Sequence, residues 1–261
     1  MHWLQGNFTF LTYKAVYSLQ DIKSYLLFRA LDPLMLYLFF ATFGAAILGP
    51  EYIQFIIVGN VIFICGRTFL LSLIGMFLSE RRLGTLGLNI CSPTSTFNLI
   101  IRRLMIPFID SLFVIVVSFL YAYVIFDVKI HLSIVPFLAM FIVVLLLSTG
   151  ALSLVAASIS LAFKNINLFT NVIIGLMQVL CGVYFPITLF PNAVQQISAW
   201  LPMTNTIIGI RNILEGETFS QNLIYVGKEF LIGIILFGIA AILIKIMENI
   251  AKKTGALLEI E

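Results

Sequence analysis

The sequence predicts an all-α membrane protein with six transmembrane helices. Of its 261 residues, 61% are hydrophobic and only 10% are charged, whereas a soluble domain carries ~45–50% apolar and ~25% charged residues. A spanning helix needs about 20 mainly apolar residues, and six runs with at most one charge each approach or exceed this length. The runs cover residues 33–48, 53–78, 104–126, 134–163, 168–190 and 230–247.

The composition also argues against several classes of function. A net charge of +3 without a long basic run does not suit a nucleic-acid partner. The 3 cysteines are scattered and the 2 histidines lie far apart, so no metal site is indicated. The sequence contains no phosphate-binding loop, no His-Glu-x-x-His pair and no Gly-x-Ser-x-Gly turn. We therefore expect this chain to be neither an enzyme nor the holder of a cofactor.

The basic residues predict the orientation of the chain. With both termini in the cytoplasm, eleven Lys and Arg residues lie on the inner side of the spans and three on the outer side. An excess on the cytoplasmic side is the usual signal of topology. We expect a single transmembrane domain over residues 1–261, in the cell (plasma) membrane, with cytoplasmic N- and C-termini.

Residues 1–31 are predicted to form a cytoplasmic amphipathic helix. Such a helix lies at the headgroup boundary and contacts membrane lipids, and a helix packed on the bundle is the alternative. The dipeptide Asp32-Pro33 is expected to break or kink the chain before the first span. The apolar residues that recur at helical spacing are Leu11, Ala15, Leu19, Ile22 and Leu26.

The largest cytoplasmic link is expected at residues 79–103. It is predicted to contain two short helices divided at Cys91-Ser92-Pro93. Ser92 is a favourable N-cap, and Pro93 suits the first position of a helix.

Residues 182–227 form the most unusual segment. It is too apolar for a solvated loop, yet Pro186, Pro191 and Pro202 divide it into pieces too short to cross the membrane. Backbone that enters the membrane without crossing must be buried in protein or line a wet cavity. We expect two short helices, at 192–201 and 204–214, that re-enter from the outer side. A helical loop lying on the surface is the alternative.

Polar residues inside the predicted spans are candidates for a pathway. Arg67 in the second span must avoid lipid. It lines a pathway, forms a structural ion pair with Asp110 of the third span, or does both. In the fifth span, a stripe of small and polar residues predicts helix packing or, alternatively, a pathway wall or subunit interface. Its members are Asn171, Gly175, Gln178 and Gly182.

Two segments resemble the ABC type-2 exporter permeases. Ser79-Glu-Arg-Arg-Leu-Gly-Thr-Leu86, followed by Ser92-Pro93, is similar to an E-R-x-x-G-T-L … S-P element after that family's second span. Phe185-Pro-Ile-Thr-Leu-Phe-Pro191, then Trp200-Leu-Pro-Met-Thr204 and Gly209-Ile-Arg211, resembles its element between spans five and six. The length and the six-span layout fit the family as well.

The resemblance implies a separate nucleotide-binding subunit that holds ATP and Mg²⁺, and a second permease chain of the same or a related kind. It also implies roles for particular residues. Phe185 would join Arg67, Asp110, Asn171 and Gln178 along the pathway. An extracellular gate would contain Pro186, Pro191, Trp200, Pro202 and Arg211. Coupling to the ATPase would involve Glu80, Arg81, Arg82, Gly84, Thr85, Leu86, Lys164 and Asn165.

Residues 24–33 are closest to the drug-resistance and nodulation-factor branch of this family. The resemblance thus implies export of an amphipathic drug, a lipid-like compound or a peptide, by alternating access. Export of lipid-linked polysaccharide or teichoic acid by the same fold is one alternative. A passive channel or lipid scramblase, which would work without an ATPase, is an alternative of another class.

Overall fold

The computed structural model describes residues 22–82, 96–160 and 166–254. Within these ranges the chain forms eight α-helices, three 3-10 helices and no strand, which confirms the all-α prediction. The 3-10 helices are Pro50–Tyr52, Leu132–Ile134 and Ile187–Leu189. The α-helices, numbered α1 to α8, are Ile22–Leu48, Ile53–Arg82, Thr96–Phe126, Val135–Ser160, Ile166–Leu180, Asn192–Ala199, Thr204–Leu214 and Phe219–Thr254.

Five of these helices, α1 to α4 and α8, are long and apolar enough to cross a membrane. The predicted fifth span, 168–190, is shorter than expected: α5 has 15 residues, or about 22 Å of helix. The backbone of Gly182, with φ at 73°, lies in the left-handed region that commonly follows a helix end. The stripe predicted on this helix therefore holds only Asn171, Gly175 and Gln178, and Gly182 lies in the turn beyond.

A break at Asp32-Pro33, one of the two expected outcomes, is wrong, and a kink there stays a prediction. Helix α1 continues through Pro33, so the first span and residues 22–31 form one helix. Proline is tolerated inside membrane helices because neighbouring groups can satisfy the freed backbone carbonyls. The rest of the predicted interfacial helix lies outside the described residues.

The last span begins earlier than its hydropathy indicates. Helix α8 starts at Phe219 and not near residue 230, so the end of the predicted re-entrant segment belongs to it. The charged residues Lys228 and Glu229 lower the hydropathy of this stretch of sequence, but Glu229 is completely buried against other helices.

The two short helices expected at 192–201 and 204–214 are present as α6 and α7.

Helix α2 lies at the centre of the bundle. About 89% of the most apolar stretch of α2 is buried inside the chain, whereas 39% or less of the corresponding stretch is buried in each of the other four long helices. It packs on α3 and α4, while α8 packs most extensively on α4 and also covers α7. Helix α1 lies against α2 and α3. This arrangement places Arg67 of α2 near Asp32 of α1 and Tyr184 of the segment after α5.

The link that is predicted to be cytoplasmic, 79–103, is described only at its two ends. Helix α2 extends to Arg82, and α3 begins at Thr96 and continues directly into the third span. The division predicted at Cys91-Ser92-Pro93 lies outside the described residues.

Candidate functional site

The predicted ion pair between Arg67 and Asp110 is wrong. Arg67 lies 3.4 Å from Asp32, and Asp110 lies 2.6 Å from Arg29. Both partners belong to α1, because that helix is longer than expected and passes close to α2 and α3. The two charges of the spans therefore pair with α1 and not with each other.

Asp110 is the centre of a hydrogen-bonded cluster that joins three helices. Its carboxylate accepts hydrogen bonds from Tyr25 at 2.5 Å, Arg29 at 2.6 Å and Ser72 at 2.8 Å. Arg29 also donates to Tyr25 and Ser72, each at 3.1 Å. The Asp110 side chain is only 5% exposed. A buried charge is stable when its hydrogen-bonding capacity is satisfied in this way, so this pathway candidate holds α1, α2 and α3 together.

The Arg67–Asp32 pair has a different environment. The side chain of Arg67 is 27% exposed and that of Asp32 is 50% exposed, although Arg67 lies midway along α2. A charged pair at this depth is unfavourable in contact with lipid. The face that carries Arg67 and Asp32 is therefore suited to water or to a second protein chain.

Other predicted pathway residues lie near this pair. Arg67 interacts electrostatically with the hydroxyl of Tyr184, and that hydroxyl accepts a hydrogen bond from Gln178. The ring of Tyr184 stacks on Phe40 of α1 with 4.2 Å between centroids. Asn171 is exposed about two turns before Gln178 in α5, so this face combines polar and aromatic groups.

An apolar cavity of about 150 Å³ adjoins the aromatic side of this face. No polar surface lines it, and it lies between α1, α2 and the turn that follows α5. Phe185, a predicted pathway residue, is 41% exposed at its edge. The lining residues are Phe40, Phe43, Gly44, Ile47, Ile56, Tyr184 and Phe185.

The residues of the predicted gate occupy helix ends and turns between α5 and α8. Pro186 and Pro191 precede a 3-10 helix and α6, respectively. Trp200 follows α6 and is 63% exposed, whereas Pro202 is buried and its carbonyl oxygen lies 3.3 Å from the Cys181 sulfur.

Arg211 is buried without a carboxylate partner in hydrogen-bonding contact among the described residues. Its guanidinium donates to the carbonyl oxygens of Gly182 at 2.8 Å, Val183 at 2.9 Å and Phe55 at 2.8 Å. It also lies over the Phe55 ring, 3.4 Å from the centroid. Burial lowers the pKa of Arg211 to about 9, although Glu215 opposes the shift. The guanidinium therefore remains charged at neutral pH and ties α7 to α2 and the turn after α5.

Glu229 is a polar residue of this region that the sequence analysis did not identify. It is 0% exposed, although it stands in a transmembrane helix. Its carboxylate accepts hydrogen bonds from Ser148 of α4 and from the backbone N–H of Met203. The signal in the sequence was a carboxylate beside an otherwise apolar run. Glu229 was missed because it directly precedes the predicted sixth span, 230–247.

The predicted coupling residues lie at the ends of the described ranges. The last turn of α2 contains Glu80, Arg81 and Arg82. The others lie outside the described residues, so their contacts stay a prediction. They are Gly84, Thr85, Leu86, Lys164 and Asn165.

Comparison with known proteins identifies the family. The model of the family described as "ABC-2 type transporter" matches residues 7–214, which is most of the chain. No curated protein matches the sequence significantly. Permeases of this family act with an ATP-binding partner. The helical architecture of the chain and this family match together show that the chain is a multi-pass membrane protein of the ABC-2 type transporter family, the permease component of an ABC transporter.

Proposed function

We propose that this permease exports an amphipathic drug, lipid-like compound or peptide from the cell by alternating access. Two permease chains surround the pathway, and ATP hydrolysis on a separate subunit drives the change of access. The chain acts in the plasma membrane with both termini in the cytoplasm. The observation that carries the proposal is the partly exposed ion pair between Arg67 and Asp32, in which Arg67 lies midway along the membrane helix α2.

The surroundings of this pair support an amphipathic cargo. A charged pair, the Gln178–Tyr184 hydrogen bond and an apolar cavity lie on one face of the chain. Ligand sites of this type combine a mainly apolar lining with a few polar groups that fix orientation. The cavity suits a ring or a short aliphatic segment, while the ion pair suits a polar end group.

Coupling to ATP is proposed at the cytoplasmic ends of the spans. Helix α2 carries Arg67 at its middle and Glu80 in its last turn, so one rigid element connects the pathway to the motif that resembles the family's coupling element. Nucleotide can bias transport only if the two access states bind the ATPase subunits differently. A displacement of the inner end of α2 provides such a difference.

The test uses the permease reconstituted with its ATPase subunit in liposomes. We expect a cationic amphipathic dye to cross the membrane only with ATP and Mg²⁺. Transport at full rate without nucleotide would contradict the proposal and favour a passive channel or scramblase. ATP-dependent movement of a lipid-linked oligosaccharide, with no movement of dye, would overturn the substrate class alone.

Two variants test the coupling role. Gly84→Trp or Glu80→Trp should leave membrane insertion and ATPase assembly intact but lower the amount of dye moved per ATP hydrolysed. The control is Leu132→Trp, because Leu132 is 86% exposed in the turn between α3 and α4. Normal coupling in both cytoplasmic variants would remove the role assigned to this segment.

A further inference from the structure

The carboxylate of Glu229 caps α7 from a different helix. Its Oε1 atom accepts a hydrogen bond from the Met203 N–H at 2.8 Å, and the backbone N–H groups of Asn205 and Thr206 also interact with it. These groups form the N-terminus of α7, where backbone dipoles favour negative charge. Ser148 of α4 donates to the same oxygen. Glu229 therefore joins α4, α7 and α8 at one point.

The residue that Glu229 holds is in an unfavourable backbone conformation. Met203 has φ at 75°, a value that is rare for a bulky residue. It is nevertheless 1% exposed and packs tightly on Gly66 of α2, where a Cβ atom would overlap the Met203 Cε. Strained residues persist only where their surroundings fix them. Here the hydrogen bond to Glu229 and the contact with α2 hold the conformation.

The two ends of α7 are held differently. At the C-terminal end, Arg211 is tied to three carbonyl oxygens. At the N-terminal end, Glu229 contacts the backbone N–H groups of Met203, Asn205 and Thr206, and Met203 is in the strained conformation. Release of the N-terminal end would therefore relieve the backbone strain at Met203, which release of the Arg211 end would not.

We propose that Glu229 is a positioning residue that latches the N-terminus of α7 to α4 and α8 when the outer gate is closed. When the permease opens outward, Met203 leaves the carboxylate and α7 pivots about Arg211. The release step rests on the proposed alternating access, whereas the latch in the resting state does not.

The first measurement is hydrogen exchange of the backbone amides of residues 203–207 in the assembled transporter without nucleotide. Glu229→Gln keeps the size but replaces one carboxyl oxygen by an NH2 group that cannot accept, and should speed exchange by about 10- to 100-fold, since an unsatisfied buried donor is costly. Ser148→Ala should speed it by a smaller factor. Ser198→Ala is the matched control, because Ser198 is equally buried but its hydroxyl has no partner among the described residues.

Unchanged exchange in Glu229→Gln would overturn the latch. If that variant does not assemble, equal exchange in Ser148→Ala and Ser198→Ala would overturn it instead. The second measurement is exchange in the wild-type transporter trapped with ATP and vanadate. We expect faster exchange at 203–207 and retained protection near Arg211. Equal protection in both states would make Glu229 a static cap, while failure of alternating access would be seen separately as nucleotide-independent dye movement.

Discussion

Replacement of Asp110 by asparagine tests the cluster that joins α1, α2 and α3. Removing one member of a buried, hydrogen-bonded ion pair costs about 3–5 kcal/mol. The Arg29 side chain keeps 21% exposure, and water can therefore compensate part of the lost interaction. An asparagine can also keep some of the hydrogen bonds from Tyr25 and Ser72. We expect Asp110→Asn to lower the free energy of unfolding by roughly 2–4 kcal/mol.

Asp32→Asn is the matched control for this variant. Asp32 also pairs with an arginine, but the distance is 3.4 Å and its side chain is 50% exposed. Ion pairs in such surroundings contribute about 0–1 kcal/mol. The same chemical change should therefore have a much smaller effect on stability at residue 32 than at residue 110.

The assay is thermal unfolding in lipid nanodiscs, followed with a thiol-reactive fluorescent dye. Cys65 and Cys181 are free and buried, so both become reactive when the helices separate. A domain of this size loses roughly 2–4 °C of Tm per kcal/mol. Asp110→Asn should thus lower Tm by roughly 4–16 °C and Asp32→Asn by less than about 4 °C. Equal shifts in the two variants would refute the distinction between the buried cluster and the exposed pair.

Four further substitutions, at three positions of α2, probe its packing and its charge. Gly59→Ala should destabilise the protein by about 1–3 kcal/mol, because its Cβ would overlap the Arg211 guanidinium and the Val183 carbonyl oxygen. Gly75→Ala in the same helix meets no atom within 4 Å, and thermal unfolding should show no loss; similar losses in both would contradict the packing. Arg67→Leu should change dye transport or cargo preference while Tm moves by only a few degrees. Arg67→Lys should retain most transport, and an effect of Arg67→Leu on Tm alone would show a purely structural role.

The positions of most membrane helices could be predicted from the sequence. The boundaries of α2, α4 and α7 agree closely with the expected ranges, because apolar runs and prolines act locally. The sequence did not predict the continuous α1, since the effect of Pro33 on a helix depends on neighbouring groups that can satisfy the backbone.

The candidate site was only partly predictable. The sequence analysis identified Arg67 as a charge that must avoid lipid, but its partner is Asp32 and not Asp110. Charge and span number indicate which residues need a partner, whereas the rotation and overlap of the helices decide which partner is reached. Glu229 escaped detection for the related reason that its donors are a serine on α4 and a backbone amide before α7.

The amino-acid sequence alone determined that this chain is a helical membrane protein and a permease of its family. The lengths of hydrophobic runs, the turn residues and the short motifs are local properties, so they can be recognised directly in the sequence. Only the tertiary structure decided that Asp110 is a buried residue connecting three helices, that Arg67 remains partly exposed and that Glu229 caps the N-terminus of α7. These roles depend on which helix faces meet across the bundle, and that is set by packing between residues far apart in sequence.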